Sequence, residues 1–345
     1  MMITKKLFKV TLGMTAVASL LSLMGCAAGP KGIAIVELDT MDKRKIRTHE
    51  GWKRIFSVKD DRFYTLQQTD GKLILRSRDY QGAILKVKEL PLFDKLLYIK
   101  NKDISDNGNK LVSFDRRSRS IKMWELSDDS ELTLVPAEVG RSGVRIRKVK
   151  FISDDEILIV LGKDSAFNRD QDQILKYHIP SETLQVVKAM SVHEVSLSPS
   201  KRFLAFTDRV GHNNLAVLDL EINDIIETQI NKPGTTVMTF SWSPDETKIA
   251  YENSTNDTIY VYDITTQENS VVREFDEELL CYDLFFTDNE HLLYRLGPDD
   301  SSPRDEPLRI ANIDSGEIVQ TIDNIRVWGS LSVVDGGNRI IFIYQ

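Results

Sequence analysis

The chain has 345 residues, 41% of them hydrophobic and 28% charged, the balance of a globular protein with room for one large domain or two ordinary ones. A net charge of −7 and a pI near 5.4 exclude the basic footprint on which bulk nucleic-acid binding depends, so no nucleic-acid partner is expected.

In chain order, the first element is an export signal. Lys5, Lys6 and Lys9 precede the apolar run Val10 to Met24, which is shorter than a membrane-spanning helix requires. The run ends in Leu23-Met24-Gly25-Cys26, which resembles the lipobox of bacterial lipoproteins. That resemblance implies cleavage after residue 25, acylation of Cys26 as the new N-terminus and a short tether over 26–31. Removing the three signal-peptide lysines takes the formal charge from −7 to −10, so an anionic membrane would not attract the whole chain unaided and the acyl chains must hold it. Only Cys281 then remains, so no intramolecular disulfide is possible; within LLCYDLFF it reads as a buried apolar filler.

From residue 32 onward the sequence repeats. Polar turns precede short apolar runs: Asp60-Asp61-Arg62 before Phe63, Ser105-Asp106-Asn107-Gly108 before Leu111, and Ser153-Asp154-Asp155 before Ile157. Ser198-Pro199-Ser200 then precedes Phe203, Ser243-Pro244-Asp245 precedes Ile249, Thr287-Asp288-Asn289 precedes Leu292, and Asp335-Gly336-Gly337 precedes Ile340. Successive differences between those apolar positions are 48, 46, 46, 46, 43 and 48, a period that marks β-propeller blades. Pro, Asp, Asn and Gly fill the turns because they preset or tolerate the angles of a tight reversal.

A second register follows the first. Each unit next shows an alternating strand, such as Ile121 to Glu125, Leu215 to Asp219 or Ile259 to Asp263, and then a fourth run such as Thr183 to Val187. The ends complement each other. Ile33 to Asp39 reads as a third strand with no first or second before it, while Val327 to Val334 and Arg339 to Tyr344 read as a first and second with nothing after them. Joined in one blade, they predict an all-β, seven-bladed propeller over 32–345 that leaves no open terminal edge.

These repeats resemble the WD-like repeats of the TolB family and of the propeller lobe of prolyl oligopeptidases, whose commonest turn form is Ser-Pro-Asp-Gly. The likeness covers nearly all of 32–345 and implies the fold rather than an activity. TolB carries an additional N-terminal α/β domain and no lipid, whereas only a few residues separate Cys26 from the first strand here, so a TolB orthologue is not expected.

No G-x-S-x-G elbow, P-loop or dinucleotide fingerprint appears. Asp103 to Gly108 opens like a calcium loop, but Phe114 stands where a bidentate Glu belongs, and the stretch falls on a blade turn. His49, His178, His193, His212 and His291 have no close pair at ligand spacing, so neither metal nor cofactor is expected.

Propellers bind ligands at the axial mouth, where first strands begin. The candidate residues there are Trp52, Arg145, Arg147, His193, Tyr282 and Trp328, aromatic and arginine types that anchor interfaces. Strict alternation through Arg141 to Lys150 puts Arg145, Arg147 and Val149 on one face and Ile146, Lys148 and Lys150 on the other. For Trp52 and Trp328 packing between blades competes with ligand contact, and for the basic run solvated charge does.

The expectation is an exported, lipid-anchored, monomeric propeller that serves as a binding platform for an envelope protein or peptide. Ala27 after Cys26, in place of an Asp that would favour inner-membrane retention, points to the periplasmic side of the outer membrane in a two-membrane bacterium. The alternative is a propeller hydrolase or lyase acting on a sugar or lactone, with its groups converging from several blades.

Overall fold

The computed structural model describes residues 32–344 with interruptions, the longest at 91–101, 136–143, 164–172 and 299–305; the signal peptide, Cys26 and the tether lie outside the described residues. Among the described residues the regular elements are all strands: β1 (Gly32–Glu37), β2 (Lys43–Arg47), β3 (Lys53–Val58), β4 (Phe63–Thr69), β5 (Lys72–Arg78), β6 (Ile84–Leu90), β7 (Lys102–Ile104), β8 (Lys110–Asp115), β9 (Ser120–Glu125) and β10 (Glu131–Val135). These are followed by β11 (Val144–Phe151), β12 (Glu156–Lys163), β13 (Gln173–His178), β14 (Thr183–Ala189), β15 (Val195–Leu197), β16 (Phe203–Asp208), β17 (Asn214–Asp219) and β18 (Asp224–Ile226). The last ten are β19 (Val237–Trp242), β20 (Lys248–Asn253), β21 (Thr258–Asp263), β22 (Glu268–Glu274), β23 (Leu279–Phe286), β24 (His291–Pro298), β25 (Leu308–Asn312), β26 (Ile318–Ile322), β27 (Val327–Val334) and β28 (Arg339–Tyr344).

They form seven four-stranded antiparallel sheets, a seven-bladed propeller. Six blades use four consecutive strands; the seventh has the order β2-β1-β28-β27, with Gly32 opposite Tyr344 and Glu37 opposite Arg339. Both ends of the ring are thus held in one sheet, as the complementary half-blades in the sequence predict. First strands touch around the axis, β27 with β3, β3 with β7, β7 with β11, β15 with β19, β19 with β23 and β23 with β27.

The core lies between blades. Along β12, Ile157, Ile159 and Leu161 pack against the preceding blade's Val112, Ile121 and Met123, while Leu158 and Val160 pack against the following blade's Leu204, Phe206 and Leu218. The same split recurs in β24, where Leu292, Tyr294 and Leu296 face back toward Ala250, Ile259 and Val261, and Leu293, with Leu308 and Ile310 of its own blade, faces forward to Leu331 and Ile340. Successive side chains of a strand point to opposite faces, and here both faces are covered. That is why second strands read as unbroken apolar runs rather than as alternation.

The end of the propeller that carries the first-to-second-strand turns is tied together by side chains. Ser243 Oγ donates to Asp245 Oδ1 (2.7 Å) and accepts from the Lys248 amide (2.9 Å), and the Asp245 carboxylate also accepts from the Thr247 amide (3.1 Å). Ser105 and Asn107 repeat this arrangement, with Ser105 Oγ donating to Asn107 Oδ1 at 2.8 Å, so these two oxygens of the calcium-loop lookalike are spent inside a blade turn, while its Asp103 accepts from the Phe151 amide of the next blade at 3.0 Å. Three turns also donate to the next: the Asn107 amide to Asp154 (3.3 Å), Ser200 Oγ to Glu246 (2.7 Å) and the Asp245 amide to Asn289 (3.1 Å). Lys201 reaches further and pairs with Asp106, two blades away. The acids closing third strands have the same local duty. Asp263 Oδ1 accepts the Thr265 and Thr266 amides, and buried Asp219 accepts from Glu221 while pairing with Arg202 at 2.8 Å.

Gly108, Lys201 and Glu246 occupy the same turn position, at φ 71°, 65° and 63°. Left-handed backbone favours glycine, so Lys201 and Glu246 carry strain of about 1 kcal/mol each. Both use the side chain that glycine lacks to reach another blade.

Candidate functional site

The opposite end, where first strands begin and second strands finish, is built differently. Pairing between first and second strands breaks near that end in five blades: at Phe56 in β3, Arg147 in β11, between Val237 and Phe240 in β19, at Tyr282 in β23 and between Val327 and Leu331 in β27. A bulge inserts an unpaired residue, bends the strand and re-aims a side chain. These bulges recur at one level of the ring, beside the axis.

In β11 the bulge overturns the strict alternation. Ile146 is buried on the core side, Arg147 is the extra residue, and Val149 and Phe151 then join the core with 1% exposure each. Val149 therefore does not share a face with Arg147. The half-buried Arg147 guanidinium folds over β12, where a Cβ on Gly162 would lie 1.9 Å from Arg147 Nε. Position 162 is open to that side chain because it has none of its own.

Blade six repeats the device with an aromatic. Tyr282 is the bulged residue of β23, 42% exposed. A Cβ on Gly297 would meet Tyr282 Cε2 and Glu306 Cγ, each at 3.1 Å. Beneath the ring lies Arg295, its guanidinium carbon 5.5 Å from the ring centroid, in cation–π range. Arg295 also grips Asp283 through Nε at 2.7 Å and Nη2 at 2.6 Å, with both side chains about one-tenth exposed. Burial raises the Asp283 carboxyl above the usual carboxylate range while the Arg295 charge and hydrogen bond pull it back. Cys281 is buried alongside; desolvation, with Glu252 and Asp283 adding to it, holds its thiol well above the ordinary value, so it stays protonated at neutral pH. Glu252, 1% exposed on β20, completes the cluster from the preceding blade.

Of the sequence-predicted candidates, Arg147 and Tyr282 both stand at bulges of the mouth. Arg145 pairs with Gly162 at the start of β11, and Trp328 falls within the interrupted stretch of β27; the side chains of both lie outside the described residues, as do Cys26, Trp52 and His193. Sequence reasoning missed Asp283, Arg295 and Glu252. The signal available was an acid inside an otherwise apolar run, in LLCYDLFF and again in KIAYEN.

Among the described residues no group of three His, Cys, Asp or Glu is placed to hold a metal ion. His178 bonds Ser181 at 2.7 Å and His291 bonds Asp288 at 3.0 Å, both in turns at the other end of the propeller. The mouth can therefore offer an aromatic face backed by a fixed cation, a second guanidinium on β11 and nearby carboxylates. That set suits a polar, extended segment more than a single buried metal.

No family model matches the sequence, and no curated relative does either. Among solved structures, oligogalacturonate lyase in complex with manganese aligns over 85% of this chain and 89% of its own, with TM-score 0.60 and 13% identity. A prolyl endopeptidase matches 82% of this chain with TM-score 0.58 and 14% identity, and this chain covers 43% of it. TolB from Acinetobacter baumannii aligns over 96% of this chain and 68% of its own at 16% identity, with TM-score 0.45. At these identities the likeness to the lyase and the endopeptidase shows the propeller fold.

Proposed function

We propose that the protein is a cell-envelope lipoprotein, anchored through acylated Cys26, whose propeller is a binding platform for a protein segment or peptide. The observation that carries this reading is the row of bulged first strands, which turns Arg147 and Tyr282 toward one mouth. The longest connections between successive strands, β6 to β7, β18 to β19, β12 to β13 and β24 to β25, all join strand ends on that same side. An exposed Tyr and a half-buried Arg, both seated on strands, supply the anchors that interfaces use, at little cost in conformational entropy. Crosslinking in intact cells tests it: an envelope protein captured in stoichiometric amount by the wild type and lost from an Arg147→Ala, Tyr282→Ala double variant supports the platform. Equal capture by both sinks it. The anchor has its own test, since Cys26→Ala should move the protein from the membrane to the soluble fraction.

A second reading, a hydrolase or lyase acting on a sugar or lactone, draws on the raised Asp283 carboxyl and buried Glu252 at the same mouth. Turnover of an oligogalacturonide or lactone that is abolished by Asp283→Asn would favour it over the platform.

A further inference from the structure

We propose that the outer edge of the closing blade, together with that of the next blade, is a rim that rests on anionic lipid headgroups, so that the propeller stands edge-on to the membrane. The proposal rests on acylation of Cys26. The outermost strand of the closing sheet is β2, whose sequence KRKIR places four cations in five residues of a chain with net charge −7. It pairs along the whole of β1, from Gly32 opposite Arg47 to Val36 opposite Lys43. Cys26 is six residues before Gly32, and an extended chain spans at most about 3.5 Å per residue, so the acyl chains are confined to within about 20 Å of the start of β1. The strand beside the anchor point is thus the cationic one. Flanking Asp42 and Glu50 offset part of this charge and leave the segment positive.

The next blade adds apolar surface in the same sector. β27 and β28 contact β3, and the Arg339 guanidinium lies 5.0 Å from the Tyr80 ring centroid, which joins the closing blade to the turn that leads into β6. On β6, the outermost strand of that blade, Ile84, Leu85 and Val87 are 49%, 50% and 52% exposed, with Lys86 exposed between them. No other strand carries three exposed large hydrophobics among the described residues. A lipid tether, a cationic outer strand and an apolar outer strand on neighbouring blades match the surface of an anionic bilayer: each cation near it contributes about 1 kcal/mol, and apolar side chains enter the headgroup boundary. The outcome is a fixed orientation rather than anchorage, with the mouth open along the membrane plane.

Hydrogen exchange on the acylated protein tests this, using vesicles of phosphatidylcholine alone and vesicles containing phosphatidylglycerol. The expected result is exchange slowed several-fold in 43–47 and 84–90 on the anionic vesicles only, reversed by high salt. A Lys43→Gln, Arg44→Gln, Lys45→Gln, Arg47→Gln variant should still float with both vesicles and lose the difference. Equal exchange on both vesicles overturns the rim while flotation keeps the anchor, and protection that survives high salt overturns its electrostatic basis without relying on the variant's folding. Failure to float with either vesicle overturns the anchor and the rim with it.

Discussion

The two ends of the propeller are made from the same seven repeats and solve opposite problems. At the turn end, connections are short, serine, asparagine and aspartate oxygens are spent on local amides, and three turns donate into their neighbours. At the mouth, strand pairing is interrupted, side chains are re-aimed over glycines, and a buried ion pair is held beneath an exposed ring. One end saturates its polar groups to hold the ring; the other keeps groups outside the ladder pattern where a partner can reach them. The difference teaches that repetition alone does not make a site, and that the departures from the repeat do.

The comparison breaks most visibly if the mouth's ion pair is removed. Asp283→Ala leaves the Arg295 guanidinium buried without its carboxylate and is expected to cost about 3 kcal/mol in denaturant unfolding. A loss below about 0.5 kcal/mol would mean that Tyr282 and solvent suffice for that charge. Next in size, Ser243→Ala at the turn end removes an acceptor from the Lys248 amide and a donor to Asp245 at a fully buried site, and should cost about 2 kcal/mol without changing partner capture.

Glu246 sharpens the contrast, because its strain and its tie to Ser200 act in opposite directions. Glu246→Ala keeps the left-handed backbone and loses the tie, with an expected cost of about 1 kcal/mol; Glu246→Gly relieves the backbone and should fall within about 0.5 kcal/mol of wild type. If alanine and glycine behave alike, the φ of 63° carries no strain.

The smallest effects are in pH dependence, and the two ends should differ in sign. Burial raises the Asp219 carboxyl, but the Arg202 hydrogen bond, the Glu221 and Ile222 amides and the Arg202 charge outweigh it and leave it below the usual range. Asp245 is likewise held low by Ser243 and Thr247 against burial. Depressed carboxyls contribute stability that is present above the unfolded value, about 3.9, and lost as pH falls through the folded one. Asp283, raised, does the reverse, with stability declining as pH climbs from about 3.9 through its folded value. Melting curves of Asp283→Asn and Asp245→Asn across the acid range should therefore deviate from wild type in opposite directions. Parallel curves would remove the distinction.

The turn end was legible in the sequence because its logic is local. Ser, Pro, Asp and Asn at fixed offsets declare a turn, and Phe63, Leu111, Ile157, Ile249, Leu292 and Ile340 are all buried in second strands. Even the divided blade could be read, since strand number at each end is a counting argument. The mouth resisted reading for a physical reason. A bulge has no composition of its own, so the shift at Arg147 that sends Val149 inward leaves no mark in a residue-by-residue alternation. The Asp283–Arg295 pair joins two strands, Glu252 comes from another blade, and such convergence exists only after the ring has formed. The cations of β2 lay in plain view, yet only the pairing with β1 sets their strand at the outer edge of the closing blade.

The divided blade also sets an order of events. β1 lies between β2 and β28, so a strand made among the first is paired to the one made last. Until β28 has emerged, the first-made strand has no partner on its inner side and the circle cannot shut. Closing it is the contact of greatest sequence separation in the molecule, the kind that forms slowly because a long loop must be ordered first. The other six sheets need no such wait, each being made of four consecutive strands, so the ring shuts only when its last strand arrives.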